Sequence, residues 1–289
     1  AGDSVNEDSD EGLTPLWQGG GRLSTPFRTV QQLWQERNLI RLLVKRDFTS
    51  RYRRAGLGLG WAILEPLLLA AVYTFIFQIL VGTDRFAYPL MVFIGAMFWR
   101  LFSTVLSASS NSLISSRNLF QFARVPKAIF SAGSAVMAFQ MALLSMVSIF
   151  PFIWWYELEL SWSYLLIPVW LAITALVAWA TGILLAPMAT RVPDIMHAIR
   201  FVLRIGFFLS PVMWTYDMFG KRFGDGWLAA IVQCNPTIVP ITEVRSILLS
   251  EPTGIPAEGY LIFALVSFLS VILGSIVFES HAHKAVVYA

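Results

Sequence analysis

Residues 160–190 read LSWSYLLIPVWLAITALVAWATGILLAPMAT and contain no Asp, Glu, Lys or Arg. A helix rises about 1.5 Å per residue, so about 20 apolar residues cross the roughly 30 Å hydrocarbon core of a bilayer. The stretch exceeds that length, whereas a soluble core helix is shorter and keeps a polar face. The pattern recurs along the chain. Residues 66–83, 128–156 and 259–278 carry no charge, and 86–111 is interrupted only by Arg100. The chain therefore reads as an all-α membrane protein.

Composition supports this. The chain is 56% hydrophobic and 13% charged, with a mean hydropathy of +0.65. Its 11 Trp, 22 Phe and 8 Tyr suit aromatic belts at membrane–water interfaces. A pI near 9.1 does not mark a nucleic-acid binder, because the basic residues flank apolar spans and form no domain of their own. The single cysteine, Cys234, cannot build a disulfide framework or a metal site.

Six spans are expected, at about 61–81, 88–110, 128–156, 162–187, 198–216 and 258–279. Between the last two, 226–250 is apolar but broken by Asn235-Pro236 and Pro240. It reads as a re-entrant helical hairpin, whose non-helical backbone must be buried in protein. Residues 1–25 read as an acidic tail too poor in apolar groups to order itself. They do not have the basic start and apolar run of a secretory signal. Residues 26–60 read as an amphipathic helix bent near Gln35–Asn38, lying flat at the interface and followed by a glycine hinge. Phe27, Val30 and Trp34 form its apolar stripe, and its basic side chains reach the headgroups. A soluble helix packed on a partner is the alternative. Residues 61–284 hold the six spans.

Lys and Arg set the orientation. Sixteen of the 21 fall on the side carrying 22–54, 117–127, 191–204 and Lys284; four fall on the other, and Arg100 lies within a span. The richer side is expected to be cytoplasmic, with both termini there. Glu157 and Glu159 mark an outer turn. No internal repeat is visible.

Motifs for chemistry are sparse. His197, His281 and His283 are the only histidines, and the last two sit in the terminal stub without metal-binding company. HExxH and GxSxG are absent, and no span carries a carboxylate pair. Gly56-Leu57-Gly58-Leu59-Gly60 lacks the Lys-Ser/Thr of a phosphate loop and the strand before a dinucleotide fingerprint. A metal or resident cofactor is not expected.

Three features stand out. Arg51, Arg53 and Arg54 beside the hinge suit the phosphate of a lipid, unless they only set topology. His197, Arg200 and Arg204 share one helical face, with Phe201 and Phe208 one position round. That face suits a phosphate followed by stacked sugar rings, unless the arginines only snorkel. Arg100, near the middle of the second span, calls for a polar partner and a functional or interface role, and is grouped with the phosphate-binding residues.

The ordered motifs resemble a known family. Leu43-Val44-Lys45-Arg46-Asp47, Arg51-Tyr52-Arg53-Arg54 and Gly60-Trp61-Ala62-Ile63-Leu64-Glu65-Pro66-Leu67 resemble the entry to the first span of type-2 ABC exporter permeases. The subfamily exporting O-antigen, capsule and teichoic acid is the nearest. Tyr88-Pro89-Leu90, Val125-Pro126-Lys127, Arg191-Val192-Pro193-Asp194, Ser210-Pro211-Val212 and Asn235-Pro236-Thr237 with Arg245 follow in order. The resemblance spans about 36–279. Arg100 departs from it, since the family usually carries an uncharged residue there.

The resemblance implies a permease in a bacterial or archaeal cytoplasmic membrane, paired with a second copy of itself. Two copies of a cytoplasmic ATPase would supply ATP and Mg²⁺ chemistry. The substrate would be a lipid-linked glycan of the undecaprenyl-pyrophosphate type. Within that picture Tyr73, Phe75, Phe201 and Phe208 are expected to line a glycan conduit. Arg117, Phe120, Phe122, Arg124, Lys127 and Asp194 are expected to couple to the ATPase. An exporter of small lipophilic compounds, a lipid-modifying enzyme and a scaffold are the other readings.

Overall fold

A computed structural model of the chain describes residues 25–52, 56–82, 86–116, 126–223 and 232–288. Every regular element among them is a helix. In chain order they are α1 (Thr25–Gln35), α2 (Arg37–Tyr52), α3 (Gly60–Val81), α4 (Tyr88–Ser110) and the one-turn α5 (Ser112–Ser115). Then come α6 (Ala128–Ser145), α7 (Ile149–Trp155), α8 (Ile167–Arg191), α9 (Asp194–Leu209), α10 (Tyr216–Phe223), α11 (Ile238–Leu249) and α12 (Ala257–Tyr288).

Among the described residues, four helical stretches are long and apolar enough to cross a membrane: Tyr88–Ser110, Ala128–Trp155, Trp162–Arg191 and Ala257–His281. They stand where the second, third, fourth and sixth spans are expected. The first expected span is also helical, over Gly60–Val81, with its described side chains ending at Ile76. The fifth differs. Its helix starts earlier and stops at Leu209, because Ser210-Pro211 turns the chain. At 16 residues it is about 24 Å long, short of a bilayer core of about 30 Å. Of the expected hairpin, the half from Val232 through α11 is described; 224–231 lies outside the described residues.

The core forms where two spans meet. Of α4's apolar window 78% is buried, against 17% for α12, so α4 is central and α12 peripheral. α8 packs on α4, α6 and α12, while α3, α9 and α11 also lean on α4. Small residues permit the close approach. A Cβ on Gly182 would meet the Ser109 Cβ at 2.5 Å, and one on Gly274 would meet the Ala180 carbonyl oxygen at 2.4 Å.

Two prolines shape the spans. Pro151 cannot donate to a preceding turn, and the third span passes through a 3₁₀ turn at Met146–Ser148 just before it. Pro66, inside α3, leaves the Ala62 carbonyl without its helical donor. The Ser145 hydroxyl of α6 donates to that carbonyl at 2.6 Å, which ties α6 to α3. The expected bend of the N-terminal helix falls at Glu36, between α1 and α2. Phe27, Val30 and Trp34 are all exposed there, and Thr29 faces inward.

Candidate functional site

Among the described residues, α3 and α9 form a wall whose apolar face nothing packs against. On α3 a stripe of Ala62, Pro66, Ala70 and Thr74, four residues apart, is buried. Leu64, Leu68, Val72 and Phe75 point away from it and are exposed. On α9 Ile199 is the one buried residue, while Phe201, Val202, Ile205, Phe208 and Leu209 are exposed. The two helices touch through Tyr73 and Phe207, whose ring centroids lie 5.3 Å apart. Phe207 meets Phe208 edge-on at 5.3 Å. Of the expected conduit residues, Phe75, Phe201 and Phe208 are 66%, 62% and 64% exposed, and Tyr73 is half-buried at the seam. Phe207 makes that seam and was not singled out from sequence.

The basic residues of α9, His197, Arg200 and Arg204, are all exposed. Arg200 Nη2 lies 3.2 Å from His197 Nδ1, so the i, i+3 spacing brings them together. Arg204 sits one turn further on. Asp194 occupies the first turn, where its carboxylate complements the positive helix end. Lys127 stands just before α6, and partial burial lowers its amine below the usual lysine range. Arg51 lies in the last turn of α2 with its side chain outside the described residues, as are Arg53 and Arg54 entirely. Arg117, Phe120, Phe122 and Arg124 also lie outside them. Gly58, at φ +49°, takes the left-handed conformation that the expected hinge needs.

Arg100 has the polar partner that its position demands: Nη2 pairs with Glu65 Oε2 of α3 at 2.5 Å. Both side chains are part-exposed, at 38% and 49%. Nη1 is buried without a hydrogen-bond partner, at a cavity of about 100 Å³ between α2, α3, α4 and α6. Asp47, Thr104, Ser134 and Ser145 supply its polar lining. Apart from Pro89, the residues of α4 that are not buried are Arg100, Ser103, Thr104, Ser107 and Ala108, one helical stripe. Glu65 could have been found from sequence as the one acid inside the first two spans.

A second charged residue is set deeper. Arg245 of α11 is 5% exposed. Its Nε and Nη2 donate to the Met91 carbonyl of α4 at 3.1 and 2.8 Å. Nη2 also donates to the Val212 carbonyl at 2.8 Å, and Nη1 to the Trp214 carbonyl at 3.0 Å. The Tyr88 hydroxyl donates to the Met213 carbonyl at 2.9 Å. Three successive carbonyls of the unwound segment after α9 are thus satisfied by side chains. The break itself is latched to the second one: Asn235 Nδ2 donates to Ser210 Oγ at 2.8 Å, and Thr237 Oγ1 lies 3.1 Å from it. Sequence reading counted Arg245 among the outer-side charges. Its signal was present: two proline breaks strand carbonyls, and a fork of donors stands nearby.

The sequence signature of ABC-2 type transporters matches residues 38–249. The chain belongs to the ABC-2 type transporter family. The match runs from α2 to the last residue of α11, so the α3–α9 wall, Arg100 and Arg245 all lie in the ABC-2 region. Among curated relatives, an O-antigen export system permease protein RfbA of Myxococcus xanthus is 26% identical over 258 residues, covering 89% of this chain and 98% of that one. A protein of the same name from Klebsiella pneumoniae is 22% identical over 249 residues, 86% of this chain and 93% of its own. The ABC-2 family accounts for a chain whose apolar helices carry charged clusters but no motif of hydrolysis. Such subunits form the membrane part of a transporter.

Proposed function

We propose that the chain is the permease subunit of an ABC transporter that exports a polysaccharide as a lipid-linked glycan, driven by a separate ATPase. The observation that carries this is the α3–α9 wall. Phe75, Phe201 and Phe208 lie open on it, and Arg200 and Arg204 lie beside them. Aromatic faces stack on the apolar faces of sugar rings, and guanidinium forks suit a pyrophosphate. The near full-length match to O-antigen export permeases supports the same substrate class. Two copies would face each other across these walls. The Lys/Arg-rich ends of the spans would be cytoplasmic, both termini included. Arg51, Arg53 and Arg54 would receive the lipid phosphate at the interface. Arg117, Phe120, Phe122, Arg124, Lys127 and Asp194 would meet the two ATPase subunits, which hold ATP and Mg²⁺. Glu65 already balances the charge of Arg100, which is assigned to bracing α3 rather than to phosphate docking.

The test is purification with the candidate ATPase, reconstitution, and measurement of ATP hydrolysis against defined glycan lipids. Glutamine at Arg51, Arg53 and Arg54 together is expected to raise the glycan-lipid concentration for half-stimulation about ten-fold or more, the scale of a lost charge-assisted hydrogen bond. Stimulation by lipophilic dyes and by no glycan lipid would overturn the reading.

A further inference from the structure

α9 is held at one end and lightly packed along the rest. From Asp194 to Ile205 it buries Ile199 and half-buries Ile195, Met196 and Leu203. At the other end the contacts are close. A Cβ on Gly206 would come within 2.6 Å of the Trp99 ring, so α9 rests directly on α4 there. Beyond Leu209, Ser210, Pro211, Val212 and Met213 are all buried. The Trp214 indole donates back to the Phe208 carbonyl at 3.0 Å.

The buried guanidinium at the centre of this end has a geometry that no other cation reproduces. Its donors are splayed in a plane and reach carbonyls on α4 and on the segment after α9 at once. A lysine carries its donors on one atom and cannot span them. We propose that Arg245 is a positioning residue for transport: it clamps the unwound Val212–Trp214 segment to α4 and α11, so that α9 pivots about Ser210 and its wall opens from the Asp194 end. The proposal rests on the reading that the α3–α9 wall faces the passage. A clamped pivot turns a push near Asp194 into a sweep of Phe201 across that passage, while Phe208 stays near its place. The passage then widens where the arginines are and stays narrow at the opposite mouth.

The pivot is tested by distance. Cysteines are introduced at Val202 or Leu209, both exposed on α9, each with one at Leu176, exposed on α8. The background is Cys234→Ser, since Cys234 is the chain's single cysteine. Spin labels are read in the reconstituted complex with its ATPase, diluted with unlabelled protein, before and after trapping with a non-hydrolysable ATP analogue. At about 1.5 Å per residue the lever arms from Ser210 are about 12 Å and 1.5 Å. The label at 202 is therefore expected to move several-fold farther than the label at 209. In Arg245→Lys the label at 209 joins the motion, and glycan exported per ATP falls about five-fold or more. Hydrolysis without glycan serves as the folding control. If Arg245→Lys does not fold, Tyr88→Phe, which removes the hydroxyl that bonds Met213, is expected to shift the ratio of movements the same way by less. Equal movement of the two labels in the unmodified α9 overturns the proposal, as does a native ratio in Arg245→Lys, or in Tyr88→Phe where that variant replaces it. The distances need no substrate. Hydrolysis that ignores every glycan lipid therefore counts against the transport reading and leaves the pivot to be judged separately.

Discussion

Arg100 and Glu65 illustrate what a charge inside a span obliges its neighbours to do. A lone guanidinium at that depth costs about 2.5–3.5 kcal/mol on insertion scales. The carboxylate at 2.5 Å and the polar lining of the adjacent cavity reduce that cost. Because both side chains are part-exposed, the loss on breaking the pair should fall below that of a dry one. Arg100→Glu is expected to destabilise by about 1–3 kcal/mol. The exchange Arg100→Glu with Glu65→Arg should recover most of it, as read by thermal unfolding of the purified protein in a double-mutant cycle. If each change costs the same with or without the other, the pair does not brace α3. The need for a partner was legible in the sequence; the partner was not. It depends on the relative height of two antiparallel helices, which no single-span pattern records. Arg245 was less legible still. A charge between two apolar segments looks like any other charge that fixes topology, until the folded chain lays three carbonyls around it.

The limits of α4 were legible from its patterning and its proline, whereas the fourth span, expected to end at 187, runs through Pro187 to Arg191. α4 starts at Tyr88, with Pro89 in its first turn where a missing N–H costs nothing. It ends at Ser110, and both bounds follow from the sequence. α9 fails the same test instructively. Apolar residues continue through Val212, Met213 and Trp214, so hydropathy carries the span to 216. Ser210-Pro211 instead ends the helix, and the residues beyond are buried by packing on α4 and α11, not by spanning. The packing of α8 depends on a contact that hydropathy does not register either. Gly182 lies so close to α4 that a Cβ would meet Ser109 Cβ at 2.5 Å and the Leu106 carbonyl oxygen at 2.9 Å. Neither can move without shifting α4. Gly182→Leu is expected to cost about 1–3 kcal/mol or more through overpacking, and to lower the recovery of folded protein in size-exclusion chromatography. Leu176→Ala on the exposed face of the same helix should change little.

For the molecule as a whole, the outward surface fixes how it sits in a membrane. α12 turns Leu261, Leu265, Phe268, Leu269 and Leu273 outward, as lipid contact requires. At one end of the bundle Trp154, Trp155 and Trp162 are highly exposed around the turn that carries Glu157 and Glu159. Phe27 and Trp34, on α1, and Trp61, at the start of α3, are exposed too. The third span begins at the end opposite that turn, and the tryptophans around the turn suit one interfacial belt there. On the proposed orientation the Lys/Arg-rich end faces the cytoplasm and the Trp155–Trp162 turn faces outward. Leu160→Cys, in that turn, is therefore expected to react with a membrane-impermeant maleimide in intact cells. Ser115→Cys, in α5, should react only after permeabilisation. Both are made with Cys234→Ser, because Cys234 is itself exposed. The reverse pattern would place the basic clusters outside, away from any source of ATP. Equal labelling of both positions in intact cells would mean that the chain does not hold one orientation, and a one-way export path could not be built from it.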